Sequence, residues 1–129
     1  MQTPIDYPKL NEAVIELDEA ILASSIVSKQ GILLAHSTRP GYEKLGLDSE
    51  TEKNWGSWLA IMVSVARQGD KIFTDMEYIA TGRKEFKGLI VPFDILDLII
   101  RVVLTKKTES TFISDKILDF LKQFTGNSS

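Results

Sequence analysis

The 129-residue chain contains no cysteine and a single histidine. The first absence excludes disulfides, thiolate nucleophiles and cysteine-based zinc sites together. The second leaves His36 with no partner at metal-ligand spacing, so its plain reading is a polar residue at the end of a strand. No Gly-x-x-x-x-Gly-Lys-Ser/Thr, Gly-x-Gly-x-x-Gly or Gly-x-Ser-x-Gly run occurs, which excludes a phosphate-loop nucleotidase, a dinucleotide fingerprint and a hydrolase nucleophile elbow. Long apolar runs are also missing: stretches such as Leu98-Ile99-Ile100 fall far short of the roughly 20 residues needed to span a bilayer. Met1 to Asp6 show no basic segment followed by an apolar one, so no signal peptide is visible and a cytoplasmic location is expected. Charge of one sign is lacking too. The net charge is −3 with a pI near 5.2, so a phosphate-binding surface and a nucleic-acid partner are not favoured.

What is present is ordinary for a globular domain: 43% hydrophobic and 26% charged residues, enough to bury one core. The chain reads as one domain over 1–129, with its core spanning about 8–124. Leu10, Val14, Leu17 and Ile21 form a helical stripe that predicts a helix over 8–20. Leu22 to Ser28 and Ile32 to Ala35, joined by Lys29-Gln30-Gly31, predict a β-hairpin. A loop with Pro40, Gly41 and Gly46 covers 38–48. A second helix follows, capped by Asp48 or Ser49 and running from about Glu50 to Gly69, with Phe73 as its outer limit. Strands are expected at Met76–Arg83, Phe86–Phe93 and within Ile95–Leu104. A final helix, capped by Thr108 or Ser110, carries the stripe Ile113, Ile117, Leu121 and Phe124. The fold class is therefore α/β, in the order α-β-β-α-β-β-β-α.

The second helix is apolar around half its circumference. At 100° per residue, Trp55, Leu59, Met62, Ala66 and Gly69 make one stripe, and Trp58, Ile61, Val65 and Ile72 make another. Lys53, Ser57, Ser64, Arg67 and Lys71 fill the opposite side. A helix on a sheet needs one apolar stripe, so the second must be covered by the Tyr42–Leu47 loop or by another protein.

The element order, the turn glycine Gly31 after Ile26-Val27-Ser28, the helix around Trp58 and the segment Gly88-Leu89-Ile90-Val91-Pro92 together resemble the roadblock family of dynein-light-chain-type domains. Longin-like and profilin-like folds share parts of this layout. The resemblance implies a five-stranded, mainly antiparallel sheet with one helix on one face and two on the other. It further implies a homodimer, with sheets paired edge to edge and second helices side by side, that serves a small Ras-like GTPase as regulator or scaffold. On that reading Met76, Tyr78 and Ala80 lie on the dimer edge strand. Trp58, Ile61 and Val65 form the partner-binding stripe, with Lys53, Arg67 and Lys71 as its basic rim. The loop at 38–48 departs from the tightest versions of the family.

The remaining candidates for chemistry are weak. The carboxylate pairs Asp18/Glu19, Glu50/Glu52 and Asp94/Asp97 read as solvated surface, and Thr81-Gly82-Arg83-Lys84 as a basic turn. Arg101 interrupts the apolar run of the last strand and must either snorkel to an edge or pair with a carboxylate. No catalytic group, metal or cofactor is expected, and no membrane insertion. The alternatives are a small-ligand or sensor domain, with a polar pocket near His36 and Tyr42, and a purely structural complex subunit.

Overall fold

The computed structural model describes residues 4–126, and the side chains of Ser49, Glu52 and Lys53 lie outside the description. Helix α1 (Tyr7–Ile15) opens with the Asp6 carboxylate accepting the Lys9 N–H at 3.2 Å, with a proline in its first turn. It ends five residues earlier than its stripe suggests. Asp18 folds the chain back, accepting the Ala20 N–H on its side chain and the Ile21 N–H on its carbonyl. The Arg39 guanidinium then takes up the carbonyls of Ile15, Asp18 and Ile21. Ile21, the last member of the helical stripe, is the first residue of a strand instead.

Five strands follow: β1 (Ile21–Ser28), β2 (Leu33–Thr38), β3 (Ile79–Gly82), β4 (Phe86–Phe93) and β5 (Leu98–Thr105). They form one antiparallel sheet in the order β2-β1-β5-β4-β3, so β2 and β3 are its edges. The β4 boundaries are those expected. β3 is half the predicted length, because the chain ahead of it is held by other contacts: Met76 donates its N–H to Asp70, and the Tyr78 hydroxyl bonds that of Thr111 at 2.7 Å. β5 starts only at Leu98, after a 3₁₀ turn at Asp94–Leu96 and a left-handed Asp97.

Helix α1 and the last helix, α4 (Ser110–Gly126), cover one face of the sheet. Their Leu10, Val14, Ile113, Ile117 and Leu121 pack on Leu89, Val91, Ile100, Val102 and Leu104. The head of α4 is served by Glu109 rather than by Thr108 or Ser110, its carboxylate accepting the Thr111 N–H. Helix α2 (Ser49–Ala66) covers the other face, where Leu59 and Val63 meet Val27, Ile90 and Ile99. Asp48 is its N-cap, accepting the Thr51 N–H at 2.7 Å. A 3₁₀ turn (Arg67–Gly69) and the single-turn α3 (Asp70–Phe73) prolong it. This is the expected layering of one main helix against two.

The position of α2 is fixed by backbone contact. A Cβ on Gly56 would lie 2.1 Å from the Gly31 carbonyl oxygen, so helix and hairpin turn touch main chain to main chain. Gly31 itself sits at φ +93°, a conformation that favours glycine. Gly56→Ala is expected to destabilise the protein by about 1–3 kcal/mol, the cost of overpacking, despite alanine's better helix propensity. Chemical denaturation of the purified variant checks this.

A second expectation concerns acid. The Lys116 ammonium lies 2.7 Å from Asp18 and, with the Ala20 N–H, holds that carboxyl below its ordinary range. A depressed folded value stabilises above the unfolded one and is lost as pH falls through it. Asp18→Asn should therefore cost about 0.5–1 kcal/mol at neutral pH, as expected for a partly exposed pair. The gap to wild type should close in acid denaturation series below the carboxylate range.

Candidate functional site

Docking through Gly56 sets the rotation of α2. The line facing the sheet is Gly56, Leu59, Ala60 and Val63, continued by Arg67, with Trp55 at its flank. The sequence stripe placed Met62 there, whereas Met62 is 37% exposed and Val63 only 7%. Large side chains dominate a periodicity count, and Gly56, which actually makes the contact, adds nothing to it. The other stripe is where it was expected: Trp58, Ile61 and Val65 are 49%, 60% and 64% exposed. Ile72 and Phe73 in α3 are exposed as well, so the apolar surface continues beyond the helix.

The loop does not cover this surface. Its Leu45 and Leu47 line a cavity over Phe86, Gly88 and Arg101, at the other side of the α2-facing sheet surface. Nor is the rim simply basic. Lys71 is exposed, and the side chain of Lys53 lies outside the described residues. Arg67 is committed: its two terminal nitrogens donate to the two carboxylate oxygens of Asp94 at 2.9 and 2.8 Å. That bidentate bond, with lesser attraction from Asp70 and Asp75, raises the arginine's pKa. Arg67 thus ties the end of α2 to the β4–β5 connection. Of the strand residues proposed for a dimer edge, Ala80 is exposed on β3, while Met76 and Tyr78 lie ahead of it.

Beneath the first half of α2 the sheet carries a polar row that the sequence reading did not assemble. Cross-strand register lines up His36 on β2, Ser25 on β1 and Arg101 on β5, followed by Ile90 and Ile79. His36 Nδ1 and the Ser25 hydroxyl share a 2.6 Å hydrogen bond. Ser25 is fully buried, so its hydroxyl meets no substrate and the pair is structural. Tyr42 is not among the residues lining the cavity beside His36, which is formed by Leu33–His36 and Leu47. Arg101 is half-buried and, among the described residues, finds no carboxylate. Its guanidinium stacks 4.5 Å from the Trp55 ring centroid, and Trp55 meets Trp58 edge to face at 6.3 Å. Burial, reinforced by the Arg83 charge, pushes the Arg101 pKa down to about 10. Among the described residues no three acidic or imidazole side chains gather to hold a metal ion, and no helix is long and apolar enough to cross a membrane.

The architecture has known counterparts. A roadblock/LC7 domain from Streptomyces avermitilis superposes with a TM-score of 0.71 at 10% identity, over 95% of this chain and 98% of its own. The fold is of the roadblock type. MglB from Myxococcus xanthus gives 0.66 at 12% identity, over 97% and 96% of the two chains. LokiProfilin1, from its complex with rabbit actin, gives 0.54 at 12% identity, over 96% and 98%, so the profilin-like layout is related but fits less well. No family model matches the sequence, and no curated protein does.

The Arg67–Asp94 pair yields a prediction. Removing Arg67 unties the end of α2, so Arg67→Ala should lower stability by about 0.5–1 kcal/mol. A double-mutant cycle with Asp94→Ala, read by thermal unfolding, should show non-additivity of that order.

Proposed function

We propose that this protein is a non-catalytic interaction module that self-associates through α2 and the β3 edge and offers the paired helices to a small Ras-like GTPase. The observation that carries the reading is the outward stripe of α2: Trp58, Ile61 and Val65 stand in solvent on a rigid helix whose opposite side is buried in the core. An apolar surface of this kind marks an interaction site. Tryptophan is a favoured anchor, because it buries a large area at little rotamer cost. The short β3 edge supplies unpaired backbone groups that a second copy can complete. At the other edge, Leu47 lies over β2. The roadblock resemblance adds the partner class: domains of that type serve small GTPases as homodimeric platforms.

The stripe and the core are separable by mutation. Trp58→Ala is expected to weaken self-association or GTPase capture by about 2 kcal/mol or more, a hot-spot cost. Its melting temperature should stay near that of wild type. Leu59→Ala, one residue away on the buried line, should instead cost about 2–5 kcal/mol of stability. Light scattering at micromolar concentration, with melting curves on both variants, reads the two effects. A monomeric wild-type protein would overturn the reading, as would a Trp58→Ala variant that unfolds yet still associates.

A further inference from the structure

A cavity of about 170 Å³ opens beside Arg101, between the 39–48 segment and the ends of β3, β4 and β5. Its walls include Leu45, Leu47, Phe86 and Val103, and among the described residues none that lines it is acidic. Three polar groups belong to the sheet surface on this side. Arg101 and Arg83 line the cavity, and Thr81 stands opposite Gly88 across the β3–β4 ladder. Gly88 keeps the floor open, because a Cβ there would sit 2.3 Å from the Thr81 hydroxyl oxygen. Lys44 reaches over the Phe86 ring at the rim, 5.4 Å from its centroid. Lys87 lines the same space but spends its ammonium on the Thr108 carbonyl, 2.7 Å away.

The electrostatics of this cavity are unbalanced. Among the described residues Arg101 has no hydrogen bond and no ion pair, its one charge-related contact being the Trp55 ring. Even a half-buried cation is costly without a counter-ion, and native proteins tend to place one where something neutralises it. The charge that acts on it among the described residues is Arg83, which is of the same sign. Among the described residues nothing supplies an anionic partner, which leaves room in the cavity for one from outside the chain.

We propose that this cavity binds a phosphate-type oxyanion, with Arg101 as the inner counter-charge, Arg83 and Lys44 at the mouth, and the Thr81 hydroxyl as a further donor. A planar carboxylate is satisfied by one guanidinium fork, whereas a phosphate carries more charge and more acceptor oxygens, which suits two guanidiniums, an ammonium and a hydroxyl. The inference does not rest on the reading of the Trp58 stripe.

The test uses the whole protein and inorganic phosphate, with chloride and acetate at matched ionic strength as controls. Phosphate should shift the Arg101 Nε and Trp55 indole NMR signals saturably, and should raise the melting temperature of wild type more than that of Arg101→Met. The variant comparison removes the general stabilisation that phosphate gives any protein. Arg83→Gln, at an exposed position, should weaken phosphate binding several-fold and guards against misfolding of the first variant. Phosphatidylcholine vesicles doped with a phosphatidylinositol phosphate then identify the source. Arg101-dependent vesicle capture assigns a lipid headgroup, and phosphate binding without capture assigns a soluble phosphate ester. Equal responses to phosphate and acetate, or unchanged phosphate binding in both variants, would overturn the proposal.

Discussion

The contact on which the rest of the molecule depends is the one between Gly31 and Gly56. Two backbones meet there with no room for a side chain on the helix, and a main-chain contact of this kind fixes rotation as well as distance. Once Gly56 faces the hairpin turn, the 3.6-residue period sends Leu59 and Val63 into the sheet and leaves Trp58, Ile61 and Val65 outside. The Arg67–Asp94 bridge secures the other end of the same helix. The exposed stripe is thus a consequence of how α2 is anchored at both ends, and it is rigid for that reason. A rigid apolar surface binds with little ordering cost.

The same anchoring explains what was legible in the sequence. Element order and layering follow from patterns that the fold satisfies: two short apolar runs joined by a glycine turn for the hairpin, a helical stripe for α4, a continuous apolar run for β4. The errors lie where local side-chain chemistry overrides periodicity. Leu17 and Ile21 continue the α1 stripe, yet the Asp18 turn and the Arg39 guanidinium end that helix at Ile15. Met76 and Tyr78 alternate like a strand, but bonds to Asp70 and Thr111 hold them away from the ladder. No pattern in the neighbouring residues announces partners that distant in sequence. Lacking any side chain to count, Gly56 was invisible to a stripe analysis in which it decides the phase.

The polar row under α2 shows the complementary limit. His36 and Ser25 are unremarkable singly and Arg101 stands out only as a break in an apolar run, and the register of three strands makes them neighbours. Net charge was equally uninformative about the cavity next to them. An overall charge of −3 argues against a broad anionic-ligand surface, but it averages over a molecule in which one mouth is lined by Arg83 and Arg101 with no acid among the described residues that line it. Long-range steering depends on the sum, whereas a single buried ion depends on what stands within a few ångströms of it.

These two features divide the labour of one helix. The outer side of α2 presents aromatic and aliphatic side chains to solvent, while its inner side presses Trp55 onto the Arg101 cation. Trp55 and Trp58 meet edge to face, one at the flank of the buried line and the other on the exposed stripe beside it. An anion can take the in-plane N–H groups of the Arg101 guanidinium while its face stays on the Trp55 ring, so the two attractions act together. Trp55 thereby touches both Arg101 and Trp58, the proposed anchor of the partner surface. These two ring contacts join the cavity to the stripe, while the Gly31–Gly56 contact holds the helix that carries both rings in place.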